Sequence, residues 1–362
     1  MKQGKIPVYY TRCPVPTATG IALQKGFFDE LFLETDYDFL NIKALGAKHA
    51  DAHYTHSIDH FFREGGGSPP IWARAQGIEN QLLGVTFMEE LLGIFVRIDD
   101  SAKTVADLAG RRIALPVWPN LVFNFWRFAA EKGFHSALKV HGMDESDVVS
   151  VDIGEDIDPH KKRNPGPRGW GDAGCDYHGQ LQALLSGKVD AIFAKGSEAA
   201  SLQREAGGEI RLLYDVSYSR DMNDRVNNST PRLVTTSKQL VTDHPEVVIR
   251  YMQGILRAAN WAPLNAKETR DIVAFECGIG ESEVEHCFQP DYPQKFLPSL
   301  TPELLGSVEV MKSFLYQRGY LASDFSVDGW VNPEPLKEAQ IREAGQDDQW
   351  RGENASTMKA GV

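Results

Sequence analysis

Two short stretches carry the residue types that do chemistry: YTRCPVP at residues 10–16 and HYTHSIDHFFREGGGSPP at residues 53–70. In the second, Arg63 precedes Gly65, Gly66 and Gly67, and Ser68-Pro69-Pro70 opens an apolar segment. Ser68 is suited to cap a helix and Pro69 to its first position, where a missing N–H is harmless. Backbone N–H groups at such a helix start, approached through glycines and flanked by a guanidinium, favour a bound oxyanion. Cys13 and His53 add a thiol and an imidazole. Together these groups point to chemistry on a small acidic molecule, with Arg63, Gly66, Gly67 and Ser68 as the expected anion contacts.

Each of these residues also has a plainer role. A free cysteine is usually a small buried apolar group. Cys13, however, sits where a strand ends and the chain turns into a helix, and ligands of open α/β sheets lie at such strand ends. A neighbouring imidazole and Arg63 would also act on its ionisation. Arg63 has the alternative of a surface ion pair with Asp59 or Glu64, a contact of small energetic weight. His49, His53, His56 and His60 are spaced like one helical face. On a single helix the outer two would stand about 16 Å apart, too far to share an ion, and no zinc-type spacing accompanies them. No metal site is expected, and His49 and His56 read as solvated. Trp118, Phe123 and Trp126 have the spacing of core aromatics; Trp118 and Trp126 are also the candidates for an apolar wall around a ligand.

The composition narrows the class. The 362 residues carry a net charge of −12, and the pI is near 5.4. No basic stripe is present to displace counterions, so nucleic acid is not an expected partner. An acidic chain that binds an anion needs local donors to overcome its own field. No apolar run is long enough to span a bilayer, and MKQGKIPVYY lacks the pattern of a secretory leader, so the expected location is the cytoplasm. Cys13, Cys175, Cys277 and Cys287 have neither metal nor disulfide-scaffold spacing.

Short apolar runs alternate with helical patterns, which predicts α/β layers with mostly parallel sheets. Strands are expected at IPVYY, YDFLNIKAL, QLLGVTF, LGIFVRI, IALPV, DVVSVDIG, DAIFAK and RLVTTSKQL. Helices are expected at TATGIALQKGFFDELF, PPIWARAQG (closed by Gly77), VFNFWRFAAEKGF, SEAASLQREAGG and HPEVVIRYMQGILRAANWAPLN. Residues 155–175 are rich in Pro, Gly and charge and read as a loop over one face. The polar tail from about residue 345 reads as disordered.

The segments GRRIALP, LLSGKVDAIFAKGSEAASLQREAGG and HPEVVIRYMQGILRAANWA resemble the solute-binding proteins for sulfonates, nitrate and related anions. The resemblance spans roughly residues 6–335. It implies a type 2 periplasmic-binding-protein-like α/β fold with mixed sheets flanked by helices, two lobes and a ligand cleft between them. Lobe I would comprise residues 1–110 and 233–345, lobe II residues 111–232, and residues 346–362 a tail. Lys195, after the DAIFA strand, is a further candidate for that cleft.

A sharper resemblance lies in the first third. Cys13-Pro14-Val15-Pro16, His53, Arg63, Gly66 and the Pro69-Pro70 pair resemble the aryl-sulfinate desulfinases of dibenzothiophene sulphur removal, catalytic members of the same fold. The chain departs from them at His56, Ile58 and Phe62. The resemblance implies a cofactor-independent, monomeric enzyme that cleaves the carbon–sulphur bond of an aromatic sulfinate and releases sulfite. Cys13, His53 and Arg63 would be its catalytic residues, with the cysteine acting as general acid or as nucleophile. Two other readings fit the fold: a binding protein that feeds a transporter with a sulfonate, sulfinate or aromatic carboxylate, and an aromatic decarboxylase.

Overall fold

The computed structural model describes residues 4–46, 49, 51–119, 121–154 and 177–345. Ten strands are named here: β1 (Ile6–Thr11), β2 (Tyr37–Asn41), β3 (Phe61–Gly66), β4 (Asn80–Thr86), β5 (Leu92–Arg97), β6 (Arg112–Val117), β7 (Val149–Gly154), β8 (Ile192–Lys195), β9 (Ile210–Asp215) and β10 (Arg232–Ser237). The helices before the first crossing are α1 (Ala18–Lys25), α2 (Phe27–Phe32), α3 (Ala52–Thr55) and α4 (Ser68–Ala75). Then come α5 (Phe125–Val140), α6 (His178–Leu185), α7 (Gly196–Ala206) and α8 (Met222–Arg225). The last group is α9 (Lys238–Asp243), α10 (Pro245–Trp261), α11 (Ala266–Cys277), α12 (Glu281–Cys287) and α13 (Pro302–Gln317).

The first sheet has the order β2-β1-β3-β10-β4. Its β1 pairs in parallel with β2 and β3, whereas β10 runs antiparallel to both β3 and β4. A second sheet, β8-β5-β9, is antiparallel throughout, and a parallel bridge from Ile113 to Ala191 joins it to the β6-β7 pair. The expectation of mostly parallel sheets is therefore corrected: β5 and β10, the first strands after each passage between sheets, both reverse direction. The chain leaves the first sheet after β4 and returns to it at β10. Residues 92–97, which the sequence boundary at 110 grouped with lobe I, pair with β8 and β9.

Two cores flank the first sheet. Phe28, Phe62, Val234, Val248, Tyr251 and Ile255 pack one face under α1, α2 and α10, and the rings of Phe62 and Tyr251 stack at 4.0 Å. The amphipathic α10 begins at Pro245, as its sequence predicts. On the other side Ile71, Leu82, Leu233, Trp126 and Trp330 share a second core. The single helix expected over residues 17–32 is two, because Gly26 at φ 74° ends α1 in the left-handed region and starts α2.

The most consequential difference is β3. Its six residues are all buried, so polar–apolar alternation is absent and the glycines mimic a loop. The one helical face expected for the four histidines is also corrected, since among the described residues there only Ala52–Thr55 is α-helical. The expected loop at 155–175, Cys175 within it, and the tail at 346–362 lie outside the described residues.

Candidate active site

Register builds the site. β1 and β3 run side by side, with Thr11 opposite Arg63, and β1 then turns into the Cys13 peptide. The thiol lies over the end of β3: a Cβ placed on Gly65 would stand 2.7 Å from Cys13 Sγ and 3.7 Å from Arg63 Nη1. Sulphur and guanidinium thus share one small volume that only a glycine leaves open. Cys13 is 9% exposed.

Arg63 is 1% exposed. Its Nε donates to the His53 carbonyl at 3.1 Å and its Nη1 to the Gly66 carbonyl at 2.7 Å. Among the described residues no carboxylate pairs with it. Glu64, the sequence candidate for a surface partner, points to the opposite face of β3, because successive strand side chains alternate, and accepts from α1 instead. Burial pulls the Arg63 pKa down, against the opposing pull of Cys13, Tyr54 and Tyr251. A buried, unneutralised guanidinium is costly unless an anion completes it.

His53 is brought to the same place. Its Nδ1 lies 2.7 Å from Thr11 Oγ1, which fixes the ring plane two residues ahead of Cys13. Its ring meets Tyr54 edge-on at 4.7 Å. His56 departs from expectation. It is buried, with Nε2 3.1 Å from Thr235 Oγ1. Burial and then the Arg63 charge push its imidazole down to about 3, so it is neutral and not solvated. His49 is half-buried.

The helix start differs from the open cradle expected. Gly67, not Ser68, is the N-cap of α4, and its N–H donates to the Asn228 carbonyl at 2.6 Å. The Ser68 hydroxyl is bonded to the Asn228 side chain. Pro69 and Pro70 have no N–H, so Ser68 keeps the one amide of that first turn not so engaged. Gly66 lies opposite Arg232 in the β3–β10 ladder. The grip on an anion therefore rests chiefly on Arg63.

Trp118 and Trp126 are both buried and stack at 4.5 Å. Contacts run on from Trp126 to Phe125 at 3.9 Å, from Phe125 to Tyr54 at 5.3 Å, and from Tyr54 to His53. The aromatic run ends on the imidazole.

Lys195, the lesser candidate, is buried and donates to Ser229 Oγ at 3.0 Å, with Glu198 and Glu90 at 3.2 and 3.6 Å. Burial alone would lower its pKa, but the two carboxylates outweigh that and raise it. Ser197, two residues on, approaches the Pro14 carbonyl at 3.5 Å. Lys195 thus joins the two passages between the sheets, and Ser197 joins the same helix start to the Cys13 peptide. Thr11, Glu90 and Ser229 were not among the sequence candidates, and Glu64 was one only as a surface partner of Arg63; the pairing register and contacts between residues 34 to 105 positions apart that reveal them leave no local signal.

No protein-family model matches the chain. Among curated proteins it is similar to the 2'-hydroxybiphenyl-2-sulfinate desulfinase of Rhodococcus erythropolis, with 27% identity over 357 residues, 92% of this chain and 93% of that one. Among solved structures it resembles a cysteine-to-serine variant of the desulfurization enzyme DSZB in complex with biphenyl-2-sulfinic acid. That match has a TM-score of 0.75 and 24% identity, over 93% of this chain and 99% of the other. The periplasmic aliphatic sulphonate-binding protein of Escherichia coli matches with a TM-score of 0.61 and 15% identity, over 92% and 93% of the two chains. The fold is the two-lobed binding-protein fold that the sequence resemblance implied. Among the described residues, no helix is long and apolar enough to cross a membrane.

Proposed function

We propose that the protein is a cofactor-independent desulfinase that cleaves the carbon–sulphur bond of an aromatic sulfinate and releases sulfite. The observation that carries this reading is Arg63, buried beside the Cys13 sulphur with no carboxylate partner among the described residues. A transport protein needs the cation but has no use for the thiol. The similarity to a desulfinase along nearly the whole chain supports the same choice.

In this mechanism Arg63 holds the sulfinate oxygens, and the Trp118–Trp126 wall receives the aryl body. Charge-assisted donors fix both the position and the orientation of the anion. The overall reaction is ArSO2⁻ + H2O → ArH + HSO3⁻. Along one route the Cys13 S–H protonates the ring carbon that bears sulphur, the carbon–sulphur bond breaks to give sulphur dioxide, and water adds to it. The proton released by that addition restores the thiol. Along the other, the Cys13 thiolate attacks sulphur, the aryl group leaves with a proton from His53, and water resolves the thiosulfonate-like adduct. His53, oriented by Thr11, serves the thiol or the water in either case.

The test is direct. Incubation with 2-(2-hydroxyphenyl)benzenesulfinate should yield sulfite, and Cys13→Ser should abolish turnover while leaving affinity intact. Full activity in that variant would remove the thiol from the chemistry. Tight binding without turnover by the parent protein would favour the transport reading.

We extend the proposal to a cytoplasmic monomer whose lobe boundaries fall at the two passages between sheets. Cell fractionation, light scattering and limited proteolysis check these three points.

A further inference from the structure

The peptide that carries Cys13 is held at both ends by buried carboxylates. On its N-terminal side Arg12 Nε donates to Glu276 Oε2 at 3.0 Å, its Nη2 contacts Glu276 Oε1, and Gln24 Nε2 adds a 2.8 Å bond to that same oxygen. On its C-terminal side the start of α1 turns onto Glu64. Ala18 N donates to Oε1 at 3.1 Å and Thr19 N to Oε2 at 2.7 Å. Gly20 N goes to Thr17 Oγ1 at 3.0 Å. The first donors of α1 are therefore closed by the protein's own side chains.

A helix start of this kind normally attracts a ligand anion; here a side chain of β3 occupies the place. Glu64 is as buried as Arg63, and among the described residues no lysine or arginine forms an ion pair with it. Burial pushes its carboxyl above the usual range, and the bonds from Thr19 and Ala18 act against that rise. The amide donors, the Thr19 hydroxyl and the positive end of α1, with the more distant Arg232 charge, hold its charge. Glu64 and Arg63 are adjacent in β3, so one rigid strand carries both the group that anchors the Cys13 peptide and the group that faces its sulphur.

We propose that Glu64 is a positioning residue, a built-in anion at the α1 N-terminus that sets where Cys13 sits against Arg63. This inference rests on the reading of Cys13 as the reacting group. It also assigns the substrate anion to the Arg63 face, since the α1 start is already filled.

Glu64→Gln tests it, because a carboxamide accepts from one of the two amides and turns its own N–H groups toward the other. The readout is iodoacetamide labelling of the intact protein, followed peptide by peptide with mass spectrometry. The Cys13 peptide should label about threefold faster than in the parent, while Cys277 and Cys287 stay protected. With an aryl sulfinate, kcat should fall about tenfold and KM should hold, since Arg63 is untouched. Unchanged Cys13 labelling overturns the proposal. So does a parallel rise at Cys13, Cys277 and Cys287 alike, which marks general loosening. Should the glutamine variant fail to fold, Glu64→Asp, which withdraws the carboxylate but keeps its charge, is judged by the same outcomes. Labelling needs no substrate, so a parent protein that releases no sulfite would defeat the desulfinase reading and leave the positioning role of Glu64 to be decided by the labelling rates alone.

Discussion

Gly65→Ala is the sharpest perturbation the site allows. The added methyl would fall 2.6 Å from Cys13 Cβ and 2.7 Å from Cys13 Sγ. Ordinary contact between such atoms is about 3.5–4.0 Å, so the overlap is on the order of 1 Å. Gly65 is not free to retreat: β3 is laced to β1 on one side and to β10 on the other, with Leu233 opposite Gly65. The Cys13 peptide must move instead. A shift of about 1 Å in a reacting group costs roughly 100-fold in rate, and kcat should fall by that factor. KM should change little, because Arg63 keeps both its carbonyl contacts. Overpacking should lower stability by about 1–3 kcal/mol, and the backbone at φ 156° adds strain for any residue with a Cβ. Sulfite release measured beside urea denaturation separates the two effects. A folded variant with turnover within about threefold of the parent would show that the rate does not depend on where this contact puts the thiol.

Arg63→Ala, made in a Cys13→Ser background so that ligand persists, should weaken aryl sulfinate binding by about 2–5 kcal/mol in calorimetry; an unaltered dissociation constant would take Arg63 out of the site. His56 should contribute to loss of stability in acid. Its folded-state pKa is depressed to about 3, so the unfolded chain takes up a proton that the folded one refuses, and stability is lost as pH falls from about 6.5 toward about 3. From pH 7 to pH 5 this group alone should remove about 2 kcal/mol. His56→Asn, which suits the positive φ of 53°, should flatten that part of the pH profile of denaturant unfolding. A profile parallel to the parent's would refute the assignment.

The sequence exposed those parts of the molecule whose signals are local. The strands β4 and β5 and the helix α10 follow from apolar runs and from Pro245, and Gly77 does close α4 at φ 88°. The order Cys13, His53, Arg63 was legible because a thiol, an imidazole and a guanidinium before glycines are uncommon company. The strand that presents Arg63 was not. With both faces covered, FFREGG has no period to read, and its charges and glycines imitate an exposed turn. The same hidden strand made Arg63 and Glu64 look like neighbours able to neutralise each other; in a β-strand they are back to back.

That arrangement explains why the site is more than a binding cradle. A fold built only for stability would pair a buried guanidinium with a buried carboxylate, and two such groups are adjacent in this chain. The strand separates them instead. Glu64 is turned to the amides of α1 and fixes the Cys13 peptide, while Arg63 is left with two carbonyls and unneutralised charge next to the sulphur. Desolvation without a partner is a penalty that folding alone does not reward. It is rewarded when an anion enters, because a preorganised cation in a dry site attracts it far more strongly than one in water. The closed α1 start removes the other natural anion position next to the Cys13 peptide. On the proposed reading an incoming sulfinate is directed to the unneutralised cation beside the thiol, and the strand that presents Arg63 also anchors, through Glu64, the peptide that carries Cys13.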